Sequence, residues 1–122
     1  LAGVVATNTT VSRAGLASAP EAVEAAGAGG LSGAPVRERS TAVIGRVWKR
    51  TDGRVPVVGV GGVFTADDAW EKVRAGASIV QVYTGLVYEG PTLARELCEG
   101  LSKRVREGGF ARLADAVGSA HG

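Results

Sequence analysis

Two runs of similar make-up constrain the fold of this chain more than any other feature. One is Val55-Pro56-Val57-Val58-Gly59-Val60-Gly61-Gly62 and the other is Ser78-Ile79-Val80-Gln81-Val82-Tyr83-Thr84-Gly85. Each is a short, apolar, β-branched stretch that ends in glycine or a hydroxyl residue, and each is followed by a segment of helical character. Such runs read as consecutive parallel strands. Glycines at the end of the first leave no Cβ between the backbone and a bound anion. A second strand ending beside it adds amide N–H groups and the Thr84 hydroxyl. The pair predicts a phosphate-sized gap at two neighbouring strand ends.

The rest of the chain repeats this alternation. Gly3 to Thr7 reads as a buried strand that gives way abruptly to Asn8-Thr9-Thr10. From Val11 to Gly33 the sequence is rich in Ala, Gly and Ser with no clean apolar period. That predicts a long loop with one or two helical turns at Glu21 to Ala26, and long ordered loops are usually functional. Val36, Val43 and Val47, with Ile44 and Trp48 alongside, predict a helix from Val36 to Arg50. Thr65 followed three residues later by Asp68 predicts a capped helix that ends at Gly76. Pro91 reads as the first residue of a helix. Its apolar row is Leu93, Leu97, Leu101 and Val105, widened by Ala94 and Cys98. Phe110 to Val117 reads as a last short helix, and the tail from Ser119 as loose.

Strands alternating with helices predict a parallel α/β fold with crossover helices. A complete (β/α)8 barrel takes roughly 250 residues, and in such barrels the loops after the last two strands often hold phosphate. The chain has 122 residues and opens just ahead of a strand, without an initiator Met. The expectation is the C-terminal part of a (β/α)8 TIM barrel, about three βα units, with residues 1–122 as its C-terminal half. A complete small α/β domain of another kind is the alternative.

Composition narrows the function classes. The formal net charge is only +2, and charges of both signs alternate along the helical stretches, which argues against a nucleic-acid stripe. Cys98 is the only cysteine, so no internal disulfide forms. No apolar run approaches the ~20 residues that span a bilayer, and no stretch within these residues has a signal-peptide pattern. No His/Cys/acid spacing resembles a metal site, and the lone His121 argues against a Ser–His–acid set.

Three groups at the strand ends carry candidate chemistry. Thr7-Asn8-Thr9-Thr10 offers an amide and hydroxyls that suit a planar ligand with carbonyls, ring N–H groups and a carboxylate, or makes an ordinary polar turn. Gly29-Gly30-Leu31-Ser32-Gly33 and Gly59-Val60-Gly61-Gly62 make either an anion-binding nest or tight turns. At Tyr83-Thr84-Gly85, the Thr84 amide and hydroxyl could reach a phosphate oxygen, while Tyr83 packs on a cofactor or is simply half-buried at a strand end.

In this order the residues resemble the C-terminal half of dihydroorotate dehydrogenase. The likeness rests on Ala6-Thr7-Asn8-Thr9-Thr10, Gly29-Gly30-Leu31-Ser32-Gly33, Gly59-Val60-Gly61-Gly62, Ala75-Gly76-Ala77-Ser78 and the run from Val82 to Pro91. It is closer to the quinone-dependent, membrane-associated class than to the fumarate- or NAD-linked ones. The resemblance implies an FMN-containing barrel that oxidises dihydroorotate to orotate in de novo pyrimidine synthesis. Quinone would be the electron acceptor, reached through an N-terminal part. The parent protein would sit peripherally on the cytoplasmic side of the inner membrane, while the fragment itself is soluble. Residue by residue, the resemblance implies that Thr7 lies against the flavin, that Gly33 and Gly62 present backbone N–H groups to FMN, and that Tyr83 and Thr84 complete the phosphate pocket. Asn8 and Thr9 would bind dihydroorotate. The family's flavin-contacting lysine and serine base belong to the first half of the barrel; Ser32 is not that base, and no catalytic residue is assigned here. The chain alone is then expected to be inactive. Two other readings stay open: a half-barrel that self-associates through its strand edges and binds only phosphate groups, and another FMN-barrel oxidoreductase.

Overall fold

A computed structural model describes every residue, Leu1–Gly122. Three short parallel strands form one sheet in the order β1-β2-β3, with β1 at Val4–Ala6, β2 at Val57–Val60 and β3 at Ile79–Gln81. The helices are α1 (Pro20–Ala25), α2 (Arg37–Thr51), α3 (Ala66–Ala75), α4 (Thr84–Glu89), α5 (Leu93–Glu107) and α6 (Leu113–Ala116). Short 3-10 turns at Ala34–Val36 and Ser119–His121 complete the chain. The sheet is open and alternates with helices, as in part of a TIM-barrel-like α/β fold. No helix is long and apolar enough to cross a membrane.

The period-2 alternation of the strands sorts their side chains into two faces. Val4, Ala6 and Val57 turn toward α2 and α3, where they pack with Ile44, Val43, Val47, Ala75 and Ala77. Val80 and Val82 join a second cluster with Val63, Ala69, Leu93, Leu97 and Leu101. On the opposite face the register aligns Val5 with Val58 and Val58 with Ile79. Nothing in the chain covers that face: Val5 is 64% exposed and Ile79 60%. In a closed barrel this is the row of side chains that fills the interior.

Helix ends follow the sequence where local chemistry decides them. Thr65 and Asp68 form a reciprocal capping box, with Thr65 Oγ1 accepting from the Asp68 N–H at 3.2 Å and Asp68 Oδ2 accepting from the Thr65 N–H at 3.0 Å. Four expectations are corrected. Pro91 does not start a helix: Thr92 is the N-cap and Leu93 the first helical residue of α5. No helix was expected between the run ending at Gly85 and Pro91, yet α4 occupies Thr84–Glu89. Cys98 is exposed, as is Ala94, so the buried stripe of α5 is the narrower row through Leu93 and Leu97. The tail is docked: His121 stacks on Trp48 at 5.1 Å between ring centroids, and its Nε2 lies 2.9 Å from the Ala75 carbonyl oxygen. Gly45, which weakens α2 as an isolated helix, leaves room for that ring; a Cβ there would stand 3.2 Å from His121 Cε1.

Candidate functional site

The three strand ends meet at one cleft of about 410 Å³. β1 delivers Thr7, Asn8 and Thr9; the turn after β2 delivers Gly61, Gly62 and Val63; the exit of β3 delivers Tyr83, Thr84 and Gly85. The long loop returns to the same place with Ser32 and Gly33. An antiparallel bridge at the base of that loop brings it back, with Thr10 N–H donating to Leu31 O at 2.9 Å and Leu31 N–H to Thr10 O at 2.8 Å. Every residue expected to bind cofactor or substrate (Thr7, Asn8, Thr9, Gly33, Gly62, Tyr83 and Thr84) lines this one cleft.

Several of its backbone donors have no acceptor. The backbone N–H groups of Gly33, Gly61, Gly62, Val63 and Tyr83 donate to nothing in the chain. Gly33, Gly62 and Val63 are buried residues. Buried backbone donors are nearly always paired, so a cluster without partners marks a place where something else accepts. Asn8 Oδ1 accepts from the Thr9 N–H at 2.8 Å, which leaves the Asn8 amide –NH2 as a free donor. Thr84 Oγ1 donates to Ser32 Oγ at 2.8 Å, which ties the loop to the β3 exit. No Asp, Glu, His, Lys, Arg or Cys lines the cleft.

Two glycines are required by space. Gly62 has φ 69°, and a Cβ there would stand 2.5 Å from Arg37 Cβ and 2.7 Å from its Cα. At Gly85 a Cβ would run into the carbonyl oxygen of Val63. The β2 turn is thus pressed against α2 on one side and the β3 exit on the other. Behind it, Asp68 holds the start of α3: its carboxylate accepts from the Phe64 and Thr65 amides at 3.0 Å each and from Arg37 Nη1 at 2.9 Å. Burial pushes the Asp68 carboxyl up, but these donors outweigh it and hold the group below the usual carboxylate range. The amides of Phe64 and Thr65 are therefore spoken for, and those of Gly61, Gly62 and Val63 have no partner in the chain.

The sequence reading passed over two residues of the cleft. Gln81 aligns with Val60 across the β2–β3 register, and the Thr7 N–H donates to Val60 O at 3.0 Å, so Gln81 stands level with Thr7 on the open face. Its signal was its place as the one polar side chain of the strand Ile79-Val80-Gln81. Ser32 was named in a glycine cluster and set aside as the base, but not recognised as the partner of Thr84. Gly85 was read as part of the third group without its packing role.

Free amides at the carboxyl ends of parallel strands, with amide and hydroxyl side chains on the adjoining rim, place the chain among TIM-barrel-like α/β proteins, which carry their sites on that side of the sheet. A family model described as dihydroorotate dehydrogenase matches residues 1–105. The dihydroorotate dehydrogenase (quinone) of Gloeobacter violaceus is 53% identical over 120 residues, covering 98% of this chain and 33% of that protein. That of Rhodococcus erythropolis is 52% identical over 119 residues, with 98% and 33% coverage. Among solved structures, ligand-free DHODH from Eimeria tenella superposes with a TM-score of 0.90 at 38% identity, over 99% of this chain and 33% of that one. The chain spans about a third of the length of the curated relatives it matches. It belongs to the dihydroorotate dehydrogenase family.

Proposed function

We propose that residues 1–122 are the C-terminal half of the FMN-binding barrel of a quinone-linked dihydroorotate dehydrogenase, which oxidises dihydroorotate to orotate in pyrimidine biosynthesis. The observation that carries this reading is the single cleft shared by Thr7, Asn8, Thr9, Gly33, Gly62, Tyr83 and Thr84, lined by backbone donors that have no acceptor. Association of the parent with the inner membrane, where quinone lies, is part of the proposal and rests on the quinone dependence of the relatives.

The residues present fit FMN. The unpaired amides of Gly33, Gly62 and Tyr83 suit a phosphate that carries several acceptor oxygens, and the Thr84 hydroxyl joins them by turning its hydrogen away from Ser32 Oγ. The Gly62 turn keeps its place against α2 only because it has no Cβ to collide with Arg37. When bound, FMN supplies the two-electron redox chemistry. Thr7, at the end of β1, borders the ring system. The free –NH2 of Asn8 and the hydroxyl of Thr9 orient the carboxylate and ring carbonyls of dihydroorotate. Holding the reacting carbon in place this way removes several kcal/mol from a barrier. The cleft contains no carboxylate, imidazole, amine or thiol, and the serine base that the family resemblance implies belongs to the first half of the barrel, so no residue here is given the proton-abstracting role. The chain alone is expected to turn over no dihydroorotate.

The test is Asn8→Ala in the full-length parent. Losing a hydrogen bond to a charged carboxylate is worth about 1.5–3 kcal/mol, so the orotate dissociation constant rises about 10- to 150-fold while FMN content holds. Unchanged orotate affinity would remove the substrate assignment. For the chain by itself, the exposed Val5 and Ile79 favour a second reading, self-association through the open sheet face. A monomer in sedimentation that binds no apolar dye would count against it.

A further inference from the structure

Lys72 is the one fully buried cation of the chain, at 0% exposure in the middle of α3. Buried ammonium groups are expected to have a carboxylate partner; Lys72 has none. Asp68, one turn earlier, is taken up by Arg37 and two backbone amides. The Lys72 Nζ instead donates to three neutral oxygens: Thr41 Oγ1 at 3.1 Å, Ser40 Oγ at 3.2 Å and the Arg37 carbonyl at 3.4 Å. An ammonium has three donors and no acceptor, so this cage satisfies it fully. Burial pushes the group down to about 8, with Asp68 and Glu71 on α3 drawing it up and Arg37 on α2 drawing it further down. The three-donor form therefore prevails at neutral pH.

The consequence falls on Ser40. Because Ser40 Oγ accepts from Lys72, its own hydrogen is left to donate, and it does so to Val60 O at 2.5 Å. The same carbonyl accepts the Thr7 N–H at 3.0 Å. Val60 is the last residue of β2, the residue before Gly61-Gly62, and Thr7 is the first residue beyond β1. Ser40 is itself fully buried, and a Cβ on Gly61 would stand 3.2 Å from Ser40 Cβ. One carbonyl thus joins the two rims of the cleft, and a hydroxyl oriented by a buried cation clamps it from behind.

We propose that Lys72 and Ser40 are positioning residues of the site, acting through Val60 O to set the spacing between Thr7 and the Gly61-Gly62 turn. This rests on the functional reading above, with Thr7 and Gly62 on the cofactor and Asn8 next in line on the substrate. Neither Lys72 nor Ser40 touches the cleft.

The experiment compares the full-length parent holoenzyme with its Ser40→Ala and Lys72→Met variants by hydrogen exchange and steady-state kinetics. In Ser40→Ala the amides of Thr7 and of Gly61 to Val63 exchange about three- to tenfold faster, the scale of one net hydrogen bond, while those of α5 keep wild-type rates. The KM for dihydroorotate rises by a similar factor, with kcat changed less than about twofold. Lys72→Met shifts both readouts the same way; if it fails to fold, Ser40→Ala decides alone. Wild-type exchange at Thr7 with wild-type KM overturns the proposal. So does equal acceleration throughout α5, which would make the pair a source of general stability only. A wild-type parent that lacks FMN or dihydroorotate oxidation defeats the functional reading instead, and the exchange comparison still reports on the clamp.

Discussion

Gly62→Ala tests whether the β2 turn owes its place to the absence of a side chain. Two costs can be separated. The first is conformational: with φ at 69° an L-residue is strained by roughly 1–2 kcal/mol. The second is crowding. The new Cβ would stand 2.5 Å from Arg37 Cβ, 2.7 Å from its Cα and 2.9 Å from its N, and two of these atoms are backbone. Overpacking of this kind costs about 1–3 kcal/mol, for a total of about 2–5 kcal/mol. Gly109 is the control: its φ is 73° and nothing lies within 4 Å of a Cβ placed there, so Gly109→Ala carries only the first cost. If the turn relieves its crowding by lifting off α2, the amides of Gly61 and Gly62 leave their places and the crowding share appears as lost FMN affinity, about 5- to 150-fold. The assay is urea unfolding together with FMN titration of the full-length parent carrying each change. Equal loss of stability in both variants, with FMN affinity unchanged in Gly62→Ala, would refute the reasoning.

Two further outcomes follow from the start of α3 and its buried lysine. Thr65→Ala removes the acceptor of the Asp68 N–H and half of the capping box, and is expected to cost about 1 kcal/mol in denaturant unfolding; no change would mean that the cap adds nothing to folding. Lys72 binds its proton less tightly in the folded chain, at about 8 against an ordinary 10.5. The unfolded state therefore holds more protons between those values, and stability rises with pH across that window by up to about 3 kcal/mol. The rise is expected to disappear in Lys72→Met; an identical slope in both proteins would contradict the assignment.

What was legible in the sequence depended on how local its cause was. The strands at Val57–Val60 and Ile79–Gln81 announced themselves because both faces are apolar. The cap at Thr65 was legible because its partners lie within one turn. Even the gathering of Thr7, Gly62 and Thr84 followed from strand ends lying on one side of a parallel sheet, while Gly33 is carried there by the long loop. The errors came from long-range packing. Trp48 reads as helix–sheet filling, yet its ring receives His121 from the far end of the chain, which is why the tail is docked rather than loose. α4 was missed because Thr84-Gly85 reads as a strand ending, while the collision a Cβ on Gly85 would meet at Val63 O shows how closely the turn packs there. Lys72 has the pattern of a surface residue on a charged helix. Only the fold brings Ser40 and Thr41 to it, because they lie on α2, one strand earlier in the chain.

A crystal structure of the full-length parent with FMN bound tests the central claim most directly. The account predicts the FMN phosphate within hydrogen-bonding range, about 2.7–3.2 Å, of the Gly62 and Tyr83 amides and the Thr84 hydroxyl, with Asn8 on the substrate side of the ring. A phosphate held elsewhere, with the amides of Gly33, Gly62 and Tyr83 still without acceptors, would contradict it.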